Sequence, residues 1–221
     1  MNRGRFITLE GIEGSGKTTH AAILGAALRA AGYGVTVTHE PGGTRAGEAI
    51  RGIFLDPAVS LSVASELLLV LADRAQHVRE KLEPALARGE IVISDRYADS
   101  TVAYQGYGRG FDLQLLAELN RLASDGIKPD LTIVLDCPAE TGLERTRRRA
   151  RGDVRRSDRF EAEDLEFHRK VRDGFLAIAK AEPGRVTVVD SARGPDAVSA
   201  DIRRAVDDLI SRAAKRSDRA S

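Results

Sequence analysis

The 221-residue sequence has little cysteine and no tryptophan, since Cys137 is its single thiol. One thiol excludes an intrachain disulfide, and it excludes a zinc site built from several thiolates. Aromatic residues make up only 5% of the chain, and no apolar run approaches the length of a membrane span. The first residues lead directly into a predicted strand, which leaves no room for the apolar core of a signal peptide. We therefore expect a cytoplasmic protein.

The sequence has no excess of charge of either sign: 34 Lys and Arg residues are balanced by 33 Asp and Glu residues, for a net charge of +1. A chain without overall basic character is not expected to bind a long nucleic-acid backbone. The arginines are nevertheless concentrated at residues 145–159. This pattern predicts small-molecule anions as partners, with no nucleic acid and no membrane.

Short apolar runs rich in β-branched residues alternate with longer segments of helical periodicity. The predicted strands are Arg5–Glu10, Val35–His39, Ile91–Asp95, Leu131–Asp136 and Arg185–Asp190. Continuous apolar runs are typical of parallel strands that are covered on both faces. The alternation therefore predicts an α/β fold, in which a five-stranded parallel sheet with right-handed connections lies between two layers of helices.

Helical periodicity predicts helices at about residues 23–31, 62–88, 113–124 and 196–213. The second of these is the longest, and Pro84 is expected to bend it near its end. We find no internal repeat and no linker. One domain is therefore expected over residues 1–213, followed by a frayed polar tail over residues 214–221.

A glycine-rich turn lies between the first predicted strand and the first predicted helix, where residues 11–18 read Gly-Ile-Glu-Gly-Ser-Gly-Lys-Thr. Glycines let successive backbone N–H groups turn towards phosphate oxygens, and the positive end of the following helix faces the same anion. In this pattern Lys17 reaches the β- and γ-phosphates, and the hydroxyl of Thr18 binds Mg²⁺. The predicted nucleotide-phosphate site consists of Gly11, Ile12, Glu13, Gly14, Ser15, Gly16, Lys17, Thr18 and Thr19.

The phosphate loop alone does not identify the reaction, because kinases, GTPases and mechanical ATPases share it. Asn2 and Asn120 are the only asparagines, and neither begins the Asn-Lys-x-Asp sequence that reads guanine in regulatory GTPases. The chain also lacks an Asp-x-x-Gly sequence, so a signalling GTPase is not expected. A regulatory ATPase stays open as an alternative, because Asp136 ends a predicted strand and could serve as its acidic residue.

The third predicted strand ends in Asp95-Arg96-Tyr97, and ligands of open α/β sheets bind at the carboxyl ends of the strands. Asp95 can hold a Mg²⁺-bound water there, and Arg96 can bind a phosphate through two N–H groups. The ordinary alternative is a helix cap with a surface salt bridge. The second predicted strand ends before Glu40, which the following proline keeps extended, and a helix that bears Arg51 comes next.

Four segments together give the sequence a specific resemblance. In this order they resemble the thymidylate kinases, which phosphorylate dTMP with ATP: Glu10–Thr19, Glu40–Thr44 with Arg51, Asp73–His77, and Asp95–Gly110. The resemblance extends from about Phe6 to Leu209. It implies a P-loop kinase that uses ATP, dTMP and Mg²⁺, acts in dTTP biosynthesis and forms a homodimer. Another nucleoside-monophosphate kinase, or a deoxynucleoside kinase, is the nearest alternative.

The resemblance also implies roles for residues of the acceptor site. Glu13 would accept the 3′-hydroxyl of the deoxyribose, while Arg51 and Arg96 would bind the 5′-phosphate. Arg74 would donate to thymine O4, and Tyr104 would lie where a ribose 2′-hydroxyl would project. The whole implied dTMP site consists of Glu13, Glu40, Arg51, Arg74, Arg96, Ser100, Thr101, Tyr104 and Gln105. The implied metal-binding residues are Thr18 and Asp95.

One position departs from the family pattern. Four residues before Arg74 the family commonly has a phenylalanine that stacks on thymine, whereas this chain has Val70. Stacking contributes about 1–3 kcal/mol per base, so its loss would weaken base recognition. A neighbour such as Phe54 could compensate.

The arginine-rich segment 145–159 has three interpretations: an exposed basic helix face, a nucleic-acid-binding arm, or a lid that closes over ATP. The segment has no interleaved aromatic residues, which argues against nucleic acid. The resemblance favours a small helical lid over about residues 145–160, because the family carries its catalytic arginine either in the P-loop or in the lid, and the P-loop here has none. The implied catalytic residues are Lys17 and Arg96, with Arg147, Arg149, Arg151 and Arg159 as lid candidates.

Overall fold

The computed structural model describes residues 4–152, 159–160 and 163–218, with side chains described except at residues 150–152 and 213–218. A single parallel sheet lies at its centre, with the strand order β2-β3-β1-β4-β5. The strands are β1 (Arg5–Glu10), β2 (Val35–His39), β3 (Ile91–Asp95), β4 (Leu131–Asp136) and β5 (Val186–Asp190). The prediction of a five-stranded parallel sheet is therefore confirmed, and only β5 begins one residue later than predicted.

The central strand β1 pairs with β3 on one side and with β4 on the other, so that Thr8 lies opposite both Ser94 and Thr132. The chain fills one side of β1 with β2 and β3, and then crosses to the other side for β4 and β5. In open α/β sheets a ligand crevice forms at such a change of direction, outside the carboxyl ends of the strands. The ends of β1 and β3, next to each other, are therefore the expected position of the site.

Helices cover both faces of the sheet. They are α1 (Lys17–Ala30), α2 (Arg45–Leu55), α3 (Val63–His77), α4 (Glu83–Ala87), α5 (Ala98–Thr101), α6 (Leu113–Ala123), α7 (Ala139–Gly152), α8 (Leu165–Ala181) and α9 (Pro195–Asp218). Side-chain caps fix the starts of four of them, because an oxygen of each capping residue accepts from a backbone N–H three residues on. These residues are Thr44, Ser62, Asp112 and Asp164.

The long helix predicted over residues 62–88 is divided into three parts. Helix α3 ends at His77, a π-helical segment covers Val78–Leu82, and α4 follows. The irregularity therefore precedes Pro84, which lies in the first turn of α4 and has no N–H to donate to the π-helical turn before it. Helix α8 was not predicted, and α9 continues to Asp218, beyond the predicted residue 213.

The apolar core lies on both faces of the sheet. On one face, side chains of the central strands pack against α1 and α9, with Leu28, Ile93 and Val206 among the fully buried members. On the other face, Phe6 and Val92 pack under the segment that contains Leu82. Each fully buried side chain of this size contributes about 1.5–3 kcal/mol. Because the strands are held from both faces, their carboxyl ends form a fixed platform. None of the helices in the described ranges is long and apolar enough to cross a membrane.

Candidate active site

The site begins with the turn between β1 and α1. Its glycines have positive φ, with 136° at Gly11, 71° at Gly14 and 97° at Gly16. A Cβ atom at Gly14 would lie 2.1 Å from the backbone oxygen of Gly142, so this position has room only for glycine. Because α1 begins directly after Gly16, the unpaired N–H groups of its first turn face this loop. This arrangement binds phosphate.

Lys17 extends back over the loop from the first turn of α1. Its Nζ donates to the backbone oxygen of Ile12 at 2.7 Å and to Oγ of Ser15 at 3.3 Å. Burial lowers the pKa of Lys17 to about 8, and the nearby guanidinium of Arg96 acts in the same direction. A bound phosphate would supply the missing counter-charge and favour the ammonium form.

The predicted Mg²⁺ ligands lie together at the ends of β3 and the loop. The Thr18 hydroxyl donates to Oδ2 of Asp95 at 2.5 Å. The described residues contain no group of three or more His, Cys, Asp or Glu side chains that could hold a metal by themselves. Two oxygen donors fit Mg²⁺, because this ion keeps several waters and is completed by substrate phosphates.

Arg96 connects the loop to the acceptor side. It follows β3 in a left-handed conformation with φ 74°, and its backbone N–H donates to the oxygen of Leu9. Its Nη1 donates to the oxygen of Gly11 at 3.0 Å, and its Nη2 donates to Oε1 of Glu13 at 2.9 Å and to the hydroxyl of Tyr104 at 3.0 Å. The structure thus brings these predicted residues together around one guanidinium.

Glu13 is the buried carboxylate of this group. Its Oε1 also accepts from the Tyr104 hydroxyl at 2.5 Å, and its Oε2 lies 3.3 Å from Nδ1 of His168. Burial alone would raise the pKa of Glu13, but His168, Arg96 and Lys17 outweigh it and hold the pKa well below its usual range. Glu13 is therefore an ionised carboxylate at neutral pH.

At the other end of the site, Arg74 takes part in a buried polar network. Its Nε donates to Oε2 of Glu40 at 3.0 Å, and its Nη1 donates to Oδ1 of Asn120 at 2.5 Å. Nδ1 of His77 lies 2.8 Å from Oε1 of Glu40, and Nε2 of His77 lies 2.7 Å from the Thr38 hydroxyl. Both oxygens of Glu40 are thus engaged by protein side chains, and the guanidinium of Arg74 also lies over the ring of Tyr97, 5.1 Å from its centroid.

Helix α2, which follows the loop after β2, carries Arg51, a further cation of the acceptor side. Nη1 of Arg51 donates to the oxygen of Pro41 at 2.7 Å, and the backbone N–H of Gly42 donates to Oδ1 of Asp73 at 2.9 Å. Burial raises the pKa of Asp73 to about 6, and the neighbouring charge of Glu40 adds to the rise. The second carboxylate oxygen of Asp73 is buried without a hydrogen-bond partner among the described residues.

One cleft of about 480 Å³ contains both ends of this arrangement. Its lining includes all the predicted dTMP residues: Glu13, Glu40, Arg51, Arg74, Arg96, Ser100, Thr101, Tyr104 and Gln105. From the predicted phosphate site it includes Gly14, Gly16, Lys17, Thr18 and Thr19, together with Asp95. Val70 and Phe54 line it as well, and the ring of Phe54 lies 5.1 Å from that of Phe160. The cleft therefore has an aromatic wall next to the valine.

The lid arginines are not equivalent. Arg147 and Arg149 of α7 are both exposed, but of the two Arg149 alone lines the cleft. Nη1 of Arg159 donates to Oε1 of the buried Glu66 at 2.7 Å, so this arginine is paired away from the loop. The Arg151 side chain lies outside the described part of the chain, as do residues 153–158 of the predicted lid.

Four residues next to the site were not predicted to have a role in it: His77, Asn120, Phe160 and His168. Asn120 had a signal, because it is a buried polar residue on a helix with an otherwise apolar buried face. His77 ends a segment that the resemblance includes, but no role was assigned to it. His168 had no local signal, because only the packing of α8 brings it to Glu13.

A phosphate loop and a cation-lined acceptor pocket share one cleft at the carboxyl edge of a parallel sheet. This combination defines a P-loop phosphotransferase that binds a small anionic acceptor beside the nucleotide. The family model described as thymidylate kinase matches residues 9–202. The chain belongs to the thymidylate kinase family.

Individual relatives agree with this assignment. A thymidylate kinase from Deinococcus radiodurans is 53% identical over 206 residues, which cover 93% of this chain and 98% of the relative. One from Trichlorobacter lovleyi is 51% identical over 203 residues, which cover 91% and 96%. The crystal structure of thymidylate kinase from Ehrlichia chaffeensis superposes with a TM-score of 0.75 at 36% identity, covering 93% of this chain and 99% of that one.

Proposed function

We propose that this protein transfers the γ-phosphoryl group of ATP to dTMP, which gives dTDP and ADP on the route to dTTP. The observation that carries the proposal is the single cleft in which Arg96 connects the phosphate loop to the acceptor pocket. Two anionic substrates can meet there only if their repulsion is neutralised. The guanidinium of Arg96 and the ammonium of Lys17 supply that neutralisation.

The phosphoryl transfer needs positioning and charge neutralisation more than covalent chemistry. Lys17 would bind the β- and γ-phosphates of ATP, and Arg96 and Arg51 would bind the 5′-phosphate of dTMP. The acceptor phosphate is already ionised at neutral pH, so its oxygen needs no strong general base. Thr18 and Asp95 would hold Mg²⁺, which supplies further charge neutralisation at the phosphates when it is bound.

The polar end of the cleft is suited to a pyrimidine. Arg74 would donate to thymine O4, and the pocket would be completed by Ser100, Thr101 and Gln105. We assign Glu40 to holding Arg74, rather than to direct contact with dTMP, because both of its oxygens are engaged. Next to Val70, the ring of Phe54 supplies the apolar surface against which the base would lie.

Glu13 and Tyr104 would define the sugar. The carboxylate of Glu13 would accept the 3′-hydroxyl, and the Tyr104 ring would occupy the space of a 2′-hydroxyl. Among the lid arginines, we propose Arg149 for contact with the transferring phosphoryl group, because its side chain lines the cleft. Closure of the lid would also exclude water, which competes as an acceptor.

We also propose that the protein is a cytoplasmic homodimer. The apolar side chains on two helices that pack together support the dimer: Leu68 of α3 is 63% exposed, and Leu122 of α6 is 76% exposed. Exposed leucines on adjacent helices are more typical of an interface than of a free surface. A cytoplasmic location fits a reaction whose donor is ATP.

The deciding experiment measures ADP formation from ATP with a panel of acceptors: dTMP, dUMP, dCMP, AMP, GMP and thymidine. We expect dTMP to have the highest kcat/KM. A preference for AMP, GMP or dCMP would identify another nucleoside-monophosphate kinase, and a preference for thymidine would identify a nucleoside kinase. Hydrolysis of ATP that no acceptor changes would indicate a regulatory ATPase.

A further inference from the structure

Glu10 is a buried carboxyl group next to the site to which the proposed phosphoryl transfer assigns no role. It ends β1 and is fully buried, so it cannot touch a substrate in the cleft. Its Oε1 accepts from the backbone N–H of Tyr97 at 2.8 Å, and its Oε2 accepts from the hydroxyl of Ser100 at 2.6 Å. Both contacts lead to the segment after β3 that carries Arg96.

The first contact holds the backbone turn at Arg96. Because Arg96 has φ 74°, the peptide that joins it to Tyr97 follows a conformation that a non-glycine residue disfavours. The N–H of that peptide donates to Glu10, and its carbonyl oxygen accepts from the Ser94 hydroxyl at 2.7 Å. Both ends of the peptide are therefore fixed. Without Glu10 this N–H would be left buried and unpaired, which would favour a different turn.

The second contact reaches the guanidinium of Arg96. Its Nη1 donates to the oxygen of Ser100 at 3.1 Å, and the Ser100 hydroxyl in turn donates to Glu10. Glu10 therefore orients the Ser100 oxygen towards Nη1. The Arg96 side chain is 18% exposed and lines the cleft, so its position determines where an acceptor phosphate can bind.

These contacts do not require a charge on Glu10. Burial and the carboxylate of Asp99 raise the pKa of Glu10 to about 8, so the group is mostly neutral at pH 7. In the neutral form Oε1 still accepts from Tyr97, and a proton on Oε2 is donated to the oxygen of Ser100. Glutamine offers the same pattern of one acceptor and one donor, whereas methionine has the length without either.

We propose that Glu10 is a positioning residue for the acceptor phosphate. It fixes the backbone turn through Tyr97 and the guanidinium through Ser100, so that Arg96 meets the 5′-phosphate of the acceptor. This inference rests on the proposed function, in which Arg96 binds that phosphate. It predicts that Glu10 governs how much more tightly the protein binds a nucleoside monophosphate than the corresponding nucleoside.

The test compares the binding of dTMP with that of thymidine, which lacks the phosphate, by isothermal titration calorimetry. The wild type should bind dTMP about 100-fold more tightly or better, because two arginines contact the phosphate. Glu10→Met should reduce this preference by about tenfold or more, and Glu10→Gln should keep it within about threefold of the wild type. The loss should fall on dTMP, with the affinity for thymidine within about threefold in both variants.

Thr8→Val is the matched control. Thr8 lies two residues before Glu10 on β1, is equally buried, and bonds the hydroxyl of Thr132 rather than the turn after β3. This variant should lower stability, because it removes a buried hydrogen bond, but it should keep the preference for dTMP. In an Arg96→Ala background, Glu10→Met should reduce the preference no further, because Glu10 acts on the phosphate only through Arg96.

Four results would overturn the proposal. These are a Met variant that keeps the wild-type preference, a Gln variant as impaired as the Met variant, a Thr8→Val variant with the same loss, and a further loss in the Arg96→Ala background. If Glu10→Met does not fold, Glu10→Asp decides. Its side chain is one methylene shorter and cannot reach Tyr97 and Ser100 together, so a wild-type preference in that variant contradicts the proposal.

The same measurements separate this proposal from the proposed function. A wild type that binds dTMP more tightly than thymidine but does not phosphorylate it would reject the proposed function alone. A wild type that phosphorylates dTMP while Glu10→Met keeps its preference would reject the role of Glu10 alone. A wild type that binds dTMP no more tightly than thymidine would reject both.

Discussion

Replacing Glu40 with glutamine tests the buried network under the base pocket. The side chains of Glu40, Arg74 and His77 are 4%, 2% and 0% exposed, so solvent cannot replace the lost charge. Removing one partner of a buried ion pair typically costs about 3–5 kcal/mol, because the other charge stays buried. Asn120 continues to accept from Arg74, so we expect the lower end, about 3 kcal/mol. For a chain of this length that corresponds to a fall in Tm of about 6–12 °C.

Urea unfolding of Glu40→Gln and the wild type, followed by circular dichroism, measures this change. Glu48→Gln is the control, because the Glu48 side chain is 61% exposed and lies 3.5 Å from Nε2 of His39; we expect a change within about 0.5 kcal/mol. The KM for dTMP should also rise more than the KM for ATP, since Arg74 loses its orientation. A loss of less than about 1 kcal/mol at an unchanged m-value would refute this reasoning.

The other predictions concern the loop, the base pocket and the exposed helices. Lys17→Ala should lower kcat by about 10²–10³-fold, and near-normal turnover would contradict the assignment of the loop. Burial lowers the pKa of Lys17 to about 8, so kcat/KM for ATP should fall as the pH rises through 8 and the ammonium is lost. A constant kcat/KM up to pH 10 would contradict the role of the Lys17 ammonium in binding ATP. Arg74→Ala should raise the KM for dTMP more than tenfold with little change for ATP, and an equal rise for both would place Arg74 outside the base pocket. Analytical ultracentrifugation at micromolar concentration should show a dimer that Leu68→Glu dissociates. The control Ile23→Glu, at an exposed apolar site on α1 (44% exposed against 63% for Leu68), should leave the dimer intact, and a monomeric wild type would reject the interface.

The sheet could be predicted because its signals are local. Each of the central strands is a near-continuous apolar run within five or six residues, and a buried parallel strand is the structure that such a run favours. The buried face of α1 was less well predicted by the apolar periodicity over residues 23–31, which includes Ile23, Leu24 and Leu28: Leu24 and Leu28 are buried, but Ile23 is exposed. Gly25 lies on the buried face of α1, so close to β2 that a Cβ atom there would lie 2.5 Å from the Val37 side chain. The close approach of α1 to β2 is a tertiary property that apolar periodicity does not contain.

The residues of the site also differ in whether local sequence signals could predict them. Lys17 and Asp95 could be predicted because they lie directly beside predicted elements, at an edge where the topology brings strand ends together. The pairing of Arg159 with Glu66 could not, since the two residues are 93 positions apart and nothing local favours that partner over a phosphate. A run of arginines predicts where positive charge is concentrated. It does not tell which guanidinium is already neutralised by a buried carboxylate.

Arg96 shows how the fold gives up some stability to form the site. A non-glycine residue in the left-handed region costs about 1–2 kcal/mol, and Arg96 adopts it with φ 74° directly after β3. Glycine would relieve that cost, but it would remove the guanidinium that contacts the oxygen of Gly11 and the carboxylate of Glu13. The backbone turn that strains the chain is also what directs the side chain from the end of β3 towards the loop after β1. The strain therefore lies at the position where the two substrates' phosphates would meet, and a relaxed conformation there would separate the donor side from the acceptor side.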